Sequence, residues 1–104
     1  MPYIKESNRS NLNNCIEEMI VCLKRSTDNE KLTNDELLNI SGDINYCFSR
    51  IISNVMGDTT YPKIAIITGV LENIKQEFYR RVAESYEDKK ILENGDIKEY
   101  KRLN

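Results

Sequence analysis

From Leu12 onward the apolar residues recur at helical spacing. Leu12, Cys15, Ile16, Met19, Ile20 and Leu23 share one side, and Asn13, Asn14, Glu17, Glu18 and Lys24 face away. The pattern predicts a helix over about 11–25, with Ser10 as N-cap and Lys24 and Arg25 at the negative end of its dipole. Ser26–Asn34 reads as a polar loop. Thr33 followed three residues later by Glu36 has the form of a capping box, and predicts a helix over 34–40 whose apolar side carries Leu37, Leu38 and Ile40. A glycine inside a helix costs about 1 kcal/mol. Gly42 therefore predicts a break, with a restart over 43–56 capped by Ser41 or Asp43. That second piece carries Ile44, Cys47, Phe48, Ile51, Ile52 and Val55 as a stripe, and Gly57 fits its C-terminal cap.

The longest regular pattern follows. Pro62 stands where proline is tolerated, in a first helical turn. Ile64, Ile67, Leu71, Ile74, Phe78 and Val82 then succeed one another by three and four residues, which predicts a helix over 62–86 with a coiled-coil-like seam. Ala65, Val70 and Ala83 widen the seam, and Gly69 reads as a close helix crossing. The remainder, 87–104, is a charged tail. Within it Asn94-Gly95 is either the end of a short helix or the turn of a hairpin pairing Leu92 with Ile97. The helix end is favoured, because Glu and Lys are poor strand formers.

These elements describe an all-α fold: a small helical bundle in one domain, 1–104, with a long helix in its C-terminal half. The two shorter helices offer too little surface to cover that seam, so the expectation is a homo-oligomer formed through residues 62–86.

Composition narrows the chemistry. At 39% apolar and 31% charged residues, the chain suits amphipathic helices better than stacked sheets. Fifteen basic and seventeen acidic residues leave no cationic excess for general nucleic-acid binding. The absence of histidine removes Ser-His and Cys-His catalysis and imidazole-dependent zinc sites. Cys15, Cys22 and Cys47 form no C-x-x-C pair and are expected to be buried and reduced. The best apolar run, Ile64–Leu71, is too short to cross a bilayer, and the expectation is a soluble cytoplasmic protein with no membrane partner.

Several blocks carry a resemblance. "MPYIK", "GDINYCFSRII" and "YPKIAIITGVLENIKQEFYRRVAESYEDKKILENGDI" resemble a family of short uncharacterised proteins from bacteria and their phages. Its members read M-P-Y-I, then G-E-L-N-Y, a V-L-E helix entering E-F-Y-R-R, then Y-E-D and E-N-G-D. The resemblance covers more than half the chain. The segment Ser26–Ile40 is longer than the family's, and "KEYKRLN" extends past its common ending. The resemblance implies a helical fold, a setting in a bacterial host cell or phage, and no catalytic residue. By analogy of size and setting, it also points to small oligomeric phage proteins that antagonise host defence, some by sequestering cyclic nucleotide or ADP-ribose signals.

Candidate chemistry gathers in "YRRVAESYEDKKILENGDI", Tyr79–Ile97. Arginine forks grip phosphates and tyrosine rings stack on bases. Tyr79, Arg80, Arg81, Tyr86, Lys90 and Asn94 are therefore the candidate ligand-binding set for an anionic, nucleotide-like molecule. The plainer reading pairs Arg80 and Arg81 with Glu77, Glu84 and Asp88 on a solvated helix face. Glu84, Glu87 and Asp88 could hold magnesium only with acids from elsewhere, such as Asp43 and Glu72. "GDINY", Gly42–Tyr46, reads as a helix start, with Asp43 as cap and Asn45 and Tyr46 in a hydrogen-bonded interhelical contact. The functional expectation is a non-enzymatic binding protein capturing a cyclic or ADP-ribose-type nucleotide, with no catalytic residue, cofactor or metal. The alternatives are a protein-protein adaptor or inhibitor, and a metal-dependent nucleotide pyrophosphohydrolase.

Overall fold

Residues 2–25 and 31–101 are described by a computed structural model, and among them every regular element is helical. Residues 26–30 of the loop expected at Ser26–Asn34 and the last three residues of the tail lie outside the described residues, and α2 starts at Asn34.

Helix α1 spans Glu6–Lys24 and begins five residues before the expected start at 11. Its N-cap is Lys5, not Ser10. The Ser10 hydroxyl instead donates to the Ser7 carbonyl at 3.1 Å, inside the helix. Glu6 supplies the negative charge that a first turn favours, and the Arg9 Nε donates to the Ile4 carbonyl at 2.7 Å, tying the entering strand of chain to the first turns. Arg25 ends the helix in the left-handed region (φ 56°), its N–H donating to the Cys22 carbonyl at 3.2 Å.

Helix α2, Asn34–Met56, is continuous. The expected capping box is present: Thr33 Oγ1 accepts the Glu36 N–H at 3.2 Å, and Glu36 Oε1 accepts the Thr33 N–H at 3.0 Å. The expected break at Gly42 is absent. Neither proposed cap is needed there. Ser41 turns its hydroxyl back to the Leu38 carbonyl at 2.7 Å, and Asp43 meets Arg25 at 2.8 Å. The cost of one glycine is smaller than the loss of several helical hydrogen bonds that a break would bring. Gly57 ends the helix as expected, at φ 71°.

Thr60 starts α3, Tyr61–Phe78. Its carbonyl accepts the Ile64 N–H at 3.0 Å and its hydroxyl the Lys63 N–H at 3.4 Å. One π-helical segment, Tyr79–Ala83, follows, and then α4, Glu84–Asn94. Together they run as one helix over 61–94, eight residues beyond the expected end at 86. Gly95 closes it at φ 86°, its N–H donating to the Ile91 carbonyl at 2.8 Å. Asn94-Gly95 is thus a helix end, and Leu92 and Ile97 form no hairpin. A four-residue helix, α5, occupies Lys98–Lys101.

The chain divides into two compact units, Pro2–Ile67 and a second from Thr68 onward. In the first, α1 packs on α2, with the Arg25–Asp43 ion pair across them. The faces that meet are Ile16, Met19, Ile20 and Leu23 on α1 and Cys47, Phe48 and Ile51 on α2, around an open apolar groove of about 250 Å³. Two helices alone bury only the line between them. Among the described residues only Ile40, at 9% exposure, is buried. The cysteines depart from the expected burial: Cys15 and Cys22 are exposed and Cys47 is half-buried; all three are free thiols. Gly69 marks no crossing, since a Cβ built there meets nothing within 4 Å. The same holds at Gly42, so nothing but helix propensity distinguishes alanine from glycine there.

Two predictions follow from these local facts. Gly42→Ala should stabilise the protein by about 1 kcal/mol, read as a raised urea midpoint at unchanged slope. The second concerns acid. Hydrogen bonds from the Thr33 backbone N–H first, and its hydroxyl second, hold the Glu36 carboxyl below its ordinary value of 4.5. A lowered folded-state value means that this contribution is present above pH 4.5 and is lost as the pH falls through the folded value. Amide exchange in the first turn of α2 should accelerate in that acid window. Glu36→Gln, which keeps an acceptor but does not titrate, should abolish the step.

Candidate functional site

The helix over 61–94 carries all six candidate residues. Tyr79, Arg80 and Arg81 lie on the π segment, Tyr86 and Lys90 on α4, and Asn94 is the last residue of α4. The π turn is closed by the Glu84 N–H donating to the Tyr79 carbonyl, five residues back. Such a turn accommodates one residue more than an α-turn, and π-bulges recur at functional sites.

The turn falls within the apolar seam. The seam steps by three and four through Leu71, Ile74 and Phe78, then by four to Val82 and by four again to Tyr86. Each step of four advances about 40° round an α-helix. Successive fours would carry the stripe away from its line. On a straight α-helix the five residues would span about 120°, and the π turn, with more residues per turn, falls between Phe78 and Tyr86 in that row. The break in the alternation at Phe78–Val82 was the available signal for this turn; its position on Tyr-Arg-Arg was not foreseen.

The charged residues divide unevenly. Arg80 is held by Glu77, Nη2 to Oε1 at 3.1 Å, as the plainer reading of the sequence has it. Lys90 is held twice, by Glu93 at 3.1 Å and over the Tyr86 ring at 5.5 Å from its centroid. The Tyr79 hydroxyl donates to Glu87 Oε1 at 3.4 Å, a partner that sequence reasoning missed because the spacing of eight depends on the π turn. Among the described residues Arg81 has no ion pair with Glu84 or Asp88, and its guanidinium stands open to water. Arg81 is thus the arginine of the set left available to an outside anion.

Other expected sites dissolve. "GDINY" lies inside α2 and not at a helix start. Among the described residues Asn45 and Tyr46 form no interhelical hydrogen bond; Tyr46 is exposed and carries the Arg50 guanidinium 5.9 Å above its ring. Among the described residues no three acidic or cysteine side chains converge as a metal site would require. No described helix is long and apolar enough to cross a membrane.

The apolar residues of the second unit are the more notable feature. Leu71, Ile74, Phe78, Val82 and Tyr86 are 47–64% exposed, and within the unit no other helix lies across them.

The Tyr79 contact gives a testable pH dependence. The charge of Glu87 first, then desolvation, the hydrogen bond to Glu87 and the charge of Glu84 raise the phenol above its ordinary 10.0. A raised value means that the Tyr79–Glu87 contact persists below pH 10 and is lost as the pH rises through the folded value. Ultraviolet difference titration should show a late-ionising tyrosine, and Glu87→Gln should bring its ionisation down.

No curated protein and no solved structure matches the chain. A family model does, over residues 1–97, nearly the whole length. The chain belongs to the family described as a domain of unknown function, DUF6899.

Proposed function

We propose that this is a non-enzymatic binding protein whose working surface is the helix over 61–94, and that it acts by docking that helix against protein. The observation that carries this reading is the exposed stripe Leu71, Ile74, Phe78, Val82 and Tyr86. Helical stripes with three-and-four spacing are recognised by other helices, which insert side chains between successive turns. Mixed-sign charges flank the stripe, with Lys75 and Glu77 on its borders, as in helix pairs that choose partners by charge. Catalysis has little support: no histidine is available, and among the described residues no acids converge.

Native mass spectrometry of the chain expressed in bacteria tests the docking reading. The expected species is heavier than 12.1 kDa and composed of protein, and Ile74→Glu together with Phe78→Glu should remove it. A wild-type chain of 12.1 kDa whose stripe amides are already protected from exchange would reject the reading.

A second reading rests on Arg81. Its open guanidinium, with the Tyr79 and Tyr86 rings on the same helix, supports capture of an anionic, nucleotide-like ligand. In a bacterial or phage setting such a protein would withdraw a cyclic or ADP-ribose-type signal and so blunt host defence. Arg80 and Lys90 enter only by exchanging their carboxylate partners for phosphate. Scanning fluorimetry against cyclic and linear nucleotides should show a thermal shift with at least one of them, and Arg81→Ala should lose it. An absence of shift across the panel removes this reading and leaves docking intact.

A further inference from the structure

We infer that the occupant of the stripe on the 68–94 part of the long helix is a second copy of this chain, which rests on the docking reading above.

Three observations carry it. The first is the kind of partner the surface accepts. Leu71, Ile74, Phe78, Val82 and Tyr86 follow one another by three and four residues, so the fitting surface is a helix with a matching row. The same helix on another copy carries such a row by construction, and two-fold pairing of like surfaces is the commonest form of protein assembly.

The second is area. Side chains of this class present about 150–200 Å² each. At exposures of 47–64% the five offer roughly 500 Å² per copy, or roughly 1000 Å² for a pair. The stems of Lys75 and Arg81, lying beside the row, bring the total towards the 1200–2000 Å² or so of a stable interface. The surface is thus of the size that a dimer needs.

The third is charge. Between residues 68 and 94 stand Lys75, Arg80, Arg81, Lys89 and Lys90 against six acids, Glu72, Glu77, Glu84, Glu87, Asp88 and Glu93. The balance is one negative charge, so no single-sign field drives copies apart. Gly69 and Gln76 lie away from the row and serve as controls.

Sedimentation equilibrium of the purified full chain across the micromolar range, paired with hydrogen exchange over 71–86, tests the inference. The expected result is a mass that rises with concentration to a multiple of 12.1 kDa, with exchange protection rising in step. Phe78→Glu should weaken assembly by about 30-fold or more, the loss typical of a central interface residue. Phe78→Leu and Gly69→Ala should retain it, which separates a lost contact from a chain that no longer folds. An assembly unchanged by both Phe78→Glu and Ile74→Glu overturns the inference, because the copies then meet elsewhere. A single chain with exchanging stripe amides also overturns it, while leaving docking to a different protein. A single chain with protected stripe amides overturns the inference and the docking reading together.

Discussion

Apolar side chains held in a row on a helix impose a demand that the helix cannot meet itself. A folded chain of about a hundred residues removes roughly two-thirds of its surface from water. Ordering its backbone costs about 1–2 kcal/mol per residue, which only burial on that scale offsets. Here the first unit supplies one line of contact between α1 and α2, with Ile40 at its deepest point. The second unit supplies a helix with its stripe open. The unmet demand for cover governs the remaining features: the alignment of the stripe, the half-exposed faces of α1 and α2, and the free cysteines at the surface.

The helices are well specified locally, which is how such an arrangement can be written into a chain. Thr33 and Glu36 cap α2 reciprocally, Thr60 caps α3, and Gly57 and Gly95 stop their helices at positive φ. The surface of the long helix is rich in Glu, Lys and Arg, and ion pairs such as Glu77–Arg80 and Lys90–Glu93 bridge adjacent turns. Such pairs each add little. They favour helix at these positions while leaving the apolar row for a partner to reward, since isolated helices gain most of their stability from packing.

What was legible in the sequence and what was not divides along the same line. Signals confined to three or four residues were read correctly: the capping box at Thr33, the glycine stop at Gly57, the helix end at Asn94-Gly95. Signals whose outcome depends on competition were misread. Helix propensity alone predicts a break at Gly42, but uninterrupted bonding on both sides carries the helix through it. Ser10 and Ser41 looked like caps, yet each turns its hydroxyl onto a carbonyl three residues back. The cysteines looked buried because their spacing shares a face with Ile16 and Met19, although spacing says which side a residue takes and not whether anything covers it. In the candidate site the sequence named the segment. It could not tell which arginine was engaged, because Arg80 and Arg81 both have acids three and four residues away, and Glu77 takes Arg80.

The two proposed activities of the helix meet at the π turn. On an uninterrupted α-helix Leu71, Ile74, Phe78, Val82 and Tyr86 would share a face about 120° wide. The π turn lies within that row, and at its start Arg80 pairs back to Glu77 on α3 while Arg81 stays open. A partner helix laid along the row would exclude water beside Arg81 and lower the local dielectric. An unpaired guanidinium at the edge of such an interface is costly unless an anion meets it. Assembly along Leu71–Tyr86, as proposed, would therefore raise the affinity of Arg81 for a carboxylate or phosphate, whether from the partner or from a bound ligand. With a partner helix in place, the apolar row and the cation would act as one surface.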